Sequence, residues 1–295
     1  MMRLPLFAYH CPKSLLDLDD FLTKNFGGAK ILAGGTDLLL QMKRRLIEPS
    51  VLIDIASLTA LQGIFYEEGK GITIMAGTKI ADIEESRVIR DKFFALYQSA
   101  RHLGSSQVRA MATLGGNSCN ASPSAETPPI LIALGSQITV AGSGLERVLP
   151  LESFFLGYRK VDLNPGEYLK SFFIPEQPRS SYSAYLCHSL RRAMEIDIVN
   201  VGLWFTKDEN GKCKEARIAI GSVAPTPIRA RKAEAALMSQ LLSESAFQRA
   251  GEEASNECSP IDDIRGSAEY RREIVKVLVP RALRLALKQN RGIDR

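Results

Sequence analysis

The residues with the clearest chemical potential are two pairs of adjacent glycines, each placed between an apolar run and polar side chains. Gly34-Gly35 lies in "KILAGGTDLLL", and Gly115-Gly116 lies in "TLGGN". Glycine lacks a Cβ, so a pair can turn sharply and let a ligand approach the backbone. Successive N–H groups in such a turn, with the positive end of a following helix, can bind a phosphate. A glycine turn before a helix is also common as plain chain punctuation.

Polar side chains near the second pair add hydrogen-bonding groups of both kinds. Thr113 and Asn117 flank this pair, and Glu126 precedes a helix that starts with prolines. A dinucleotide needs donors for its phosphates and acceptors for its sugar hydroxyls, and the two loops together can supply both. Neither loop is a G-x-G-x-x-G motif or a P-loop, because no Gly-Lys-Ser/Thr follows. Glu126 on its own is equally explained as a negative charge favoured at a helix N-terminus.

Composition excludes several classes of function. The 295 residues are enough for two domains, and 45% hydrophobic with 24% charged residues is ordinary for a soluble globular protein. The net charge of +5 is spread along the chain, so no nucleic-acid partner is expected. No apolar run approaches the length of a membrane span, and the N-terminus does not resemble a signal peptide.

Cysteines and histidines are few and widely spaced. The three histidines are too scattered in sequence to predict a metal centre, and the odd number of cysteines predicts neither disulfides nor a zinc or iron–sulfur site. A reducing cytoplasm fits this pattern, so the expected location is cytoplasmic. The cysteines are Cys11, Cys119, Cys187, Cys213 and Cys258.

Hydrophobic periodicity predicts a mixed α/β first part, followed by an antiparallel sheet with terminal helices. A change of composition at 175–181 predicts an interdomain connection, with a domain over 1–176 (subdomains of about 1–56 and 57–176) and another over 177–295. Expected helices cover Ser14 to Phe26, 36–45, 80–90, 91–102, 126–135, 151–159, 230–256 and 267–289. Expected strands cover 30–35, 51–55, a hairpin over 63–77, 136–142, 146–150, 181–190, 198–207 and 213–223, and 103–124 is expected to be a loop.

Four segments together resemble a known family. Residues 31–38, residues 107–129, "RRAMEIDIVNVGL" and "IRGSAEYRREIVKVLVPRAL" are similar to the FAD-binding medium subunit of the molybdenum hydroxylases. That family includes xanthine, carbon monoxide and nicotinate dehydrogenases, and the resemblance runs through essentially the whole chain. It implies an α+β fold of the vanillyl-alcohol-oxidase (PCMH) type, with FAD bound non-covalently between two α/β subdomains and a C-terminal domain.

The resemblance also implies positions for the cofactor-binding residues. The pyrophosphate would lie on the backbone of 31–38, the second glycine pair near the diphosphate, and Glu126 on cofactor hydroxyls, where relatives often carry Asp. Leu103 and Leu169 would lie near the flavin ring. The implied cofactor-binding residues are Ile31, Leu32, Ala33, Gly34, Gly35, Thr36, Asp37, Leu38, Leu103, Thr113, Gly116, Asn117, Glu126, Leu169 and Cys187.

The chain departs from the family pattern at Cys187. Relatives commonly have lysine in this position, close to the flavin, whereas the stretch here is "YLCHS". A neutral thiol does not stabilise reduced, anionic flavin as a cation would, so either a lower flavin potential or a less favoured semiquinone is expected. A cysteine in a strand-like run is also well explained as an inert buried residue.

The implied function is electron transfer, without substrate-oxidising residues or metal ligands in this chain. A molybdopterin large subunit would hydroxylate substrate and an iron–sulfur small subunit would pass electrons to FAD, which would reduce NAD+ or another acceptor; a dimer of such heterotrimers is expected. His188 with Arg191-Arg192 is interpreted as a surface cluster that meets an acidic partner or a nicotinamide dinucleotide. A self-contained flavin oxidoreductase and a flavin-free assembly module remain as alternatives.

Overall fold

The computed structural model describes residues 3–25, 27–191 and 194–290; Phe26 and Arg192, named above, lie outside them. The strands are β1 (Ala8–His10), β2 (Ala29–Leu32), β3 (Val51–Asp54), β4 (Ile64–Glu67), β5 (Gly71–Met75), β6 (Gln137–Gly142), β7 (Leu145–Pro150), β8 (Phe155–Gly157), β9 (Lys160–Val161), β10 (Tyr168–Pro175), β11 (Ser181–His188), β12 (Val199–Lys207), β13 (Cys213–Gly221) and β14 (Ile228–Arg229). The α-helices are α1 (Leu15–Asn25), α2 (Leu38–Lys43), α3 (Ile80–Glu85), α4 (Arg87–Lys92), α5 (Phe94–His102), α6 (Ser106–Arg109), α7 (Leu114–Cys119), α8 (Thr127–Ala133), α9 (Arg231–Leu237), α10 (Glu244–Glu257) and α11 (Ala268–Asn290).

Three larger sheets and a two-stranded sheet of β8 and β9 organise the described chain. A parallel sheet has the order β1-β3-β2, an antiparallel sheet the order β4-β5-β10-β6-β7, and a second antiparallel sheet the order β11-β12-β13-β14. Strand β10, which the sequence analysis did not predict, is the central strand of the five-stranded sheet. No described helix is both long and apolar enough to cross a membrane.

The packing of α8 fixes the centre of the molecule. Every residue of this helix is buried, and β12 crosses it so closely that a Cβ on Gly202 would lie 2.5 Å from the Cα of Ile130. Glu126 stands at the N-terminal end of this rigid helix. The carboxylate of Glu126 is therefore held by an element that cannot move without disturbing the core.

Several predicted elements differ from the structure because side-chain caps divide them. The segment 103–124, expected to be a loop, contains α6 and α7, which begin where Ser105 and Thr113 accept backbone N–H bonds from Val108 and Gly116. These helices are too short to show a periodic pattern. The helix expected over 230–256 is two helices, because Ser243 caps the second one.

Two further elements are shorter than expected. Helix α2 ends at Lys43 rather than at residue 45, and Arg45 adopts a positive φ of 57°. The helix expected over 151–159 is a 3₁₀ turn followed by β8, which pairs with β9 in a two-stranded hairpin.

Candidate functional site

The first glycine loop, residues 33–38, presents a row of backbone donors. Ile31 and Leu32 end β2, and Leu38 starts α2. Within the described chain, none of the six N–H groups of this loop donates a hydrogen bond, whereas the carbonyls of Gly35 and Asp37 accept bonds from α2. Four of the six residues are half-buried, where backbone donors are almost always paired, and Thr36 and Asp37 are exposed. Six consecutive donors without an acceptor in the described chain can bind an anion.

The neighbouring helix contributes less to this loop than the sequence suggested. Asp37 occupies the N-cap position without a side-chain cap bond. Helix α2 has six residues. The donors of the loop itself, rather than a helix dipole, therefore carry the anion-binding potential.

The two glycines of the first loop serve different purposes. A Cβ on Gly34 would lie 2.0 Å from the carbonyl oxygen of Met111 and 2.9 Å from the Cα of Ala112, so only glycine allows the two loops to touch. Gly35 adopts a φ of +69°, a conformation that side chains disfavour. Gly34 thus joins the loops, and Gly35 turns the chain.

In the second glycine loop, residues 113–117, the N–H groups of residues 114–117 are occupied. The N–H of Leu114 bonds the carbonyl of Thr78 at 3.0 Å, and that of Gly115 bonds the carbonyl of Ala76 at 2.8 Å. The N–H of Gly116 donates to Thr113 Oγ1 at 3.0 Å. We therefore expect backbone hydrogen bonds to phosphates from the first loop and not from both loops.

Side-chain bonds connect the second loop to α8. Asn117 Oδ1 accepts a 2.6 Å bond from Thr127 Oγ1, and Asn117 Nδ2 donates to Glu126 Oε2 at 3.3 Å. Burial, with a smaller contribution from the charge of Asp197, raises the pKa of Glu126 to about 7. The carboxyl group is therefore able to donate or accept a hydrogen bond near neutral pH.

Leu103 and Leu169 both lie in the same hydrophobic cluster, each with 5% of its surface exposed. Leu169 precedes Lys170, whose carbonyl accepts the N–H of Ala76, so β10 and the second loop are held by the same segment. Leu103 follows the last residue of α5, and its carbonyl accepts a bond from Arg109. Their contact with a flavin ring stays a prediction.

Cys187 lies in a polar cluster that the sequence analysis did not foresee. Its Sγ is 3.1 Å from His102 Nε2, which is in turn 2.8 Å from Asp197 Oδ1. Burial and the nearby carboxylates of Asp197 and Glu126 raise the pKa of Cys187, so the thiol is neutral. The one available signal was Asp197 itself, a charged residue within the apolar run "IDIVNVGLWF".

An open cavity of about 430 Å³ lies beside this cluster. Arg191 at its edge is exposed and pairs with Glu195 at 2.6 Å. The cavity is lined by His102, Cys187, His188, Ser189, Leu190 and Arg191.

Comparisons with known protein families cover both parts of the chain. Residues 5–177 match the FAD-binding domain in molybdopterin dehydrogenase, and residues 184–286 match the C-terminal domain of the carbon monoxide dehydrogenase flavoprotein. The carbon monoxide dehydrogenase medium chain of Hydrogenophaga pseudoflava is 31% identical over 96% of this chain and 97% of its own length. The xanthine dehydrogenase FAD-binding subunit of Escherichia coli O157:H7 is 29% identical, with 94% of each chain covered.

Solved structures agree with the sequence relatives. A chain of carbon monoxide dehydrogenase from Hydrogenophaga pseudoflava superposes with a TM-score of 0.93 at 32% identity, covering 97% of this chain and 99% of that one. A chain of quinoline 2-oxidoreductase from Pseudomonas putida 86 gives a TM-score of 0.91 at 27% identity, covering 98% of this chain and 99% of that chain. The α+β, PCMH-type fold expected from the sequence is confirmed, and with it FAD as the cofactor. This oxidoreductase chain therefore belongs to the FAD-binding subunits of the molybdenum hydroxylases.

Proposed function

We propose that this chain holds the diphosphate of FAD on the free N–H groups of residues 33–38 and relays electrons from an iron–sulfur partner to NAD+ or another acceptor. The supporting observation is that row of six donors, which has no acceptor within the described chain. A diphosphate is a multiply charged acceptor and matches such a row.

The surroundings of the loop fit the rest of the cofactor. Glu126 offers carboxyl oxygens for sugar hydroxyls. Asn117, whose own oxygen accepts two bonds from Thr127, holds Glu126 in place by donating to its Oε2. When bound, FAD supplies the electron-transfer chemistry, and the protein supplies binding, orientation and electrostatics. The chain's own residues thus fix the position of the cofactor, and we assign no catalytic residue.

The electron donor is proposed to be a separate subunit. All five cysteines of the chain are free, and no four of them converge within the described residues as a [2Fe–2S] ligand set. The related structures and medium chains come from enzymes named as carbon monoxide and xanthine dehydrogenases, and one related structure is that of a Cu,Mo-carbon monoxide dehydrogenase. We therefore propose a cytoplasmic dimer of heterotrimers with an iron–sulfur small subunit and a molybdopterin large subunit.

The test is to purify the tagged chain from its own organism and analyse what accompanies it. We expect FAD, iron and molybdenum to co-purify, and anaerobic NADH to bleach the flavin if NAD+ is the acceptor. If only a quinone or another oxidant reoxidises the flavin, NAD+ is excluded as the electron acceptor, but the assignment of the chain as an FAD-binding subunit is unaffected. A flavin chain that purifies alone and turns over a small molecule would favour the self-contained oxidoreductase.

Non-covalent attachment is tested on the same material. Burial raises the pKa of Cys119 in α7 to about 12, so this thiol, next to the second loop, is not a nucleophile for flavin attachment. Acid precipitation should release all yellow colour into the supernatant. Colour retained in the protein pellet would contradict non-covalent binding.

A further inference from the structure

Three side chains with metal-ligating atoms converge beside the open cavity. His102 ends α5, Cys187 lies on β11, and Asp197 precedes β12. Their nitrogen, sulfur and carboxylate oxygen atoms all lie within 4.8 Å of one another. These residues are far apart in sequence, so only the fold brings them together.

Asp197 is the common partner of the other two side chains. His102 Nε2 is 2.8 Å from Asp197 Oδ1 and 3.1 Å from Cys187 Sγ, and one ring nitrogen carries at most one proton. Asp197 has 1% of its surface exposed, and His102 is its one ion-pair partner within the described chain. A buried carboxylate needs charge compensation, which His102 supplies when it is protonated and which a divalent cation would supply in its place.

Asp197 is also held as metal-ligating carboxylates are held. Its second oxygen, Oδ2, accepts bonds from the hydroxyl of Tyr185 at 3.2 Å and from Asn200 Nδ2 at 3.1 Å. Arg271 donates to the carbonyl of the next residue, Ile198, at 2.7 Å. These bonds orient the carboxylate and leave Oδ1 directed at His102, which is the role of outer-sphere groups around a metal.

We propose that His102, Cys187 and Asp197 form a binding site for a divalent transition metal, for which Zn²⁺ is the best match. Zinc takes nitrogen, sulfur and oxygen ligands, and sites with three protein ligands keep an open fourth position. His102 and Cys187 line the cavity, so the ion can be reached from solvent.

The required movement is small. With Zn–N near 2.0 Å and Zn–S near 2.3 Å, tetrahedral geometry separates the nitrogen and sulfur by about 3.5 Å. The present separation is 3.1 Å. An opening of roughly half an ångström therefore admits the ion, and binding releases the thiol proton to the solvent.

The site uses none of the free donors of the first glycine loop. Metal binding is therefore independent of the proposed diphosphate contacts. Because Cys187 is also expected near the flavin ring, metal binding is to be measured on both the FAD-loaded and the FAD-stripped chain, and the stoichiometry of the FAD-stripped chain decides. A failure of the electron-transfer proposal would leave the metal stoichiometry unchanged.

The test is an anaerobic titration of the metal-free full-length chain with Co²⁺, followed by displacement with Zn²⁺. We expect one Co²⁺ per chain, with a thiolate-to-cobalt charge-transfer band and the visible bands of a four-coordinate ion. Cys187→Ser should abolish the charge-transfer band, and His102→Gln should reduce affinity by more than about 100-fold. Asn200→Ala, which removes an outer-sphere bond, should weaken binding by about 10- to 100-fold.

Matched controls keep the outcome decisive. Cys11→Ser removes an exposed cysteine that is not part of the cluster, and His188→Gln removes a cavity histidine that instead bonds Tyr270. Both variants should bind Co²⁺ as the wild type does. Asp197→Asn is not required, because a substitution at this buried position risks unfolding the protein. Circular dichroism of each of the other variants verifies that it is folded. Absence of stoichiometric binding by the wild type, or a charge-transfer band that survives in Cys187→Ser, would overturn the proposal.

Discussion

The two glycine loops share a sequence pattern but differ in what their backbones do. In each pair one glycine is required by packing: Gly34 faces the carbonyl of Met111, and Gly115 faces the backbone of Ala76 with a virtual Cβ 2.7 Å away. Yet the N–H groups of the first loop have no acceptor in the described chain, whereas those of residues 114–117 in the second loop are bonded within the protein. The first glycine pair therefore lies in a loop that can donate hydrogen bonds to a ligand, whereas the second pair lies in a loop that supports the surrounding structure.

The difference arises from what lies next to each loop. Residues 76–78 run alongside the second loop and offer carbonyl groups to it. The first loop instead meets Met111 through Gly34, and this contact places its backbone against the start of the second loop without consuming a donor. The second loop thus positions the first loop. Substitutions in the two loops should therefore differ in their effects on the free energy of unfolding and on FAD affinity.

The largest effect is expected from Gly34→Ala. The added Cβ would lie 2.0 Å from a backbone oxygen, so the two loops must separate. We expect a loss of more than about 3 kcal/mol in the free energy of unfolding, measured with urea on the FAD-free chain. Gly27→Ala is the matched control, because its Cβ would meet nothing within 4 Å. Near-wild-type stability of Gly34→Ala would show that the contact between the loops is dispensable.

Next in size is the effect of Gly116→Val on FAD binding. A Cβ here meets only Thr113 Oγ1, at 2.9 Å, so the position is otherwise open, as expected if a ligand approaches it. We expect the FAD affinity to fall by more than about 100-fold, with a stability change near 1 kcal/mol. Flavin fluorescence titration measures the first quantity, and thermal unfolding the second.

Gly35→Val tests the first loop in the same flavin fluorescence titration, but this substitution also lowers the stability of the fold. Its φ of +69° and the side chains of Leu32 and Leu39, 3.0 Å from a virtual Cβ, add a cost of about 1–2 kcal/mol to folding. Both variants should lose flavin. A full flavin complement in Gly35→Val would contradict the assignment of the diphosphate to the first loop. A full complement in Gly116→Val would contradict the approach of the cofactor to the second loop.

Glu126→Gln should make the FAD-free chain more stable at high pH only. The pKa of Glu126 is raised from 4.5 to about 7, so its contribution to stability is complete below pH 4.5 and is lost as the pH rises through 7. Glutamine does not ionise, so the variant should gain about 1–2 kcal/mol over wild type above pH 7, after allowance for partial solvent screening. It should gain nothing near pH 4.5.

Thermal unfolding of both proteins across this pH range measures the difference. A gain that does not change with pH would mean that the amide acts through packing rather than through charge. The same variant should bind FAD more weakly, because it offers one acceptor oxygen instead of two.

Much of the architecture was predictable from sequence, and the reasons are local. The helix that begins at Leu15 and the hairpin formed by β4 and β5 have strong periodicity and clear turn residues. The second loop was misjudged because the bonds to Ala76 and Thr78 are tertiary contacts without a sequence signature. His102 and Asp197 were missed for the same reason, since 95 residues separate them.

The smallest expected effect is on the flavin potential, and it tests whether Cys187 lies near the flavin ring. Cys187→Lys should raise the midpoint potential, because a nearby cation favours the anionic reduced flavin. Opposite charges 4 Å apart interact by roughly 4 kcal/mol at an effective dielectric near 20. Asp197 and Glu126 lie close enough to raise the pKa of Cys187 and would also attract the lysine, so desolvation and this competition should leave about 1 kcal/mol. Since 30 mV corresponds to about 1.4 kcal/mol for a two-electron couple, the rise should be on the order of 20 mV.

Cys187→Met is the control, because it also removes the thiol but adds no charge. Spectroelectrochemical titration of the metal-free, FAD-loaded proteins separates the two variants, and an equal potential in both would mean that position 187 is remote from the flavin ring.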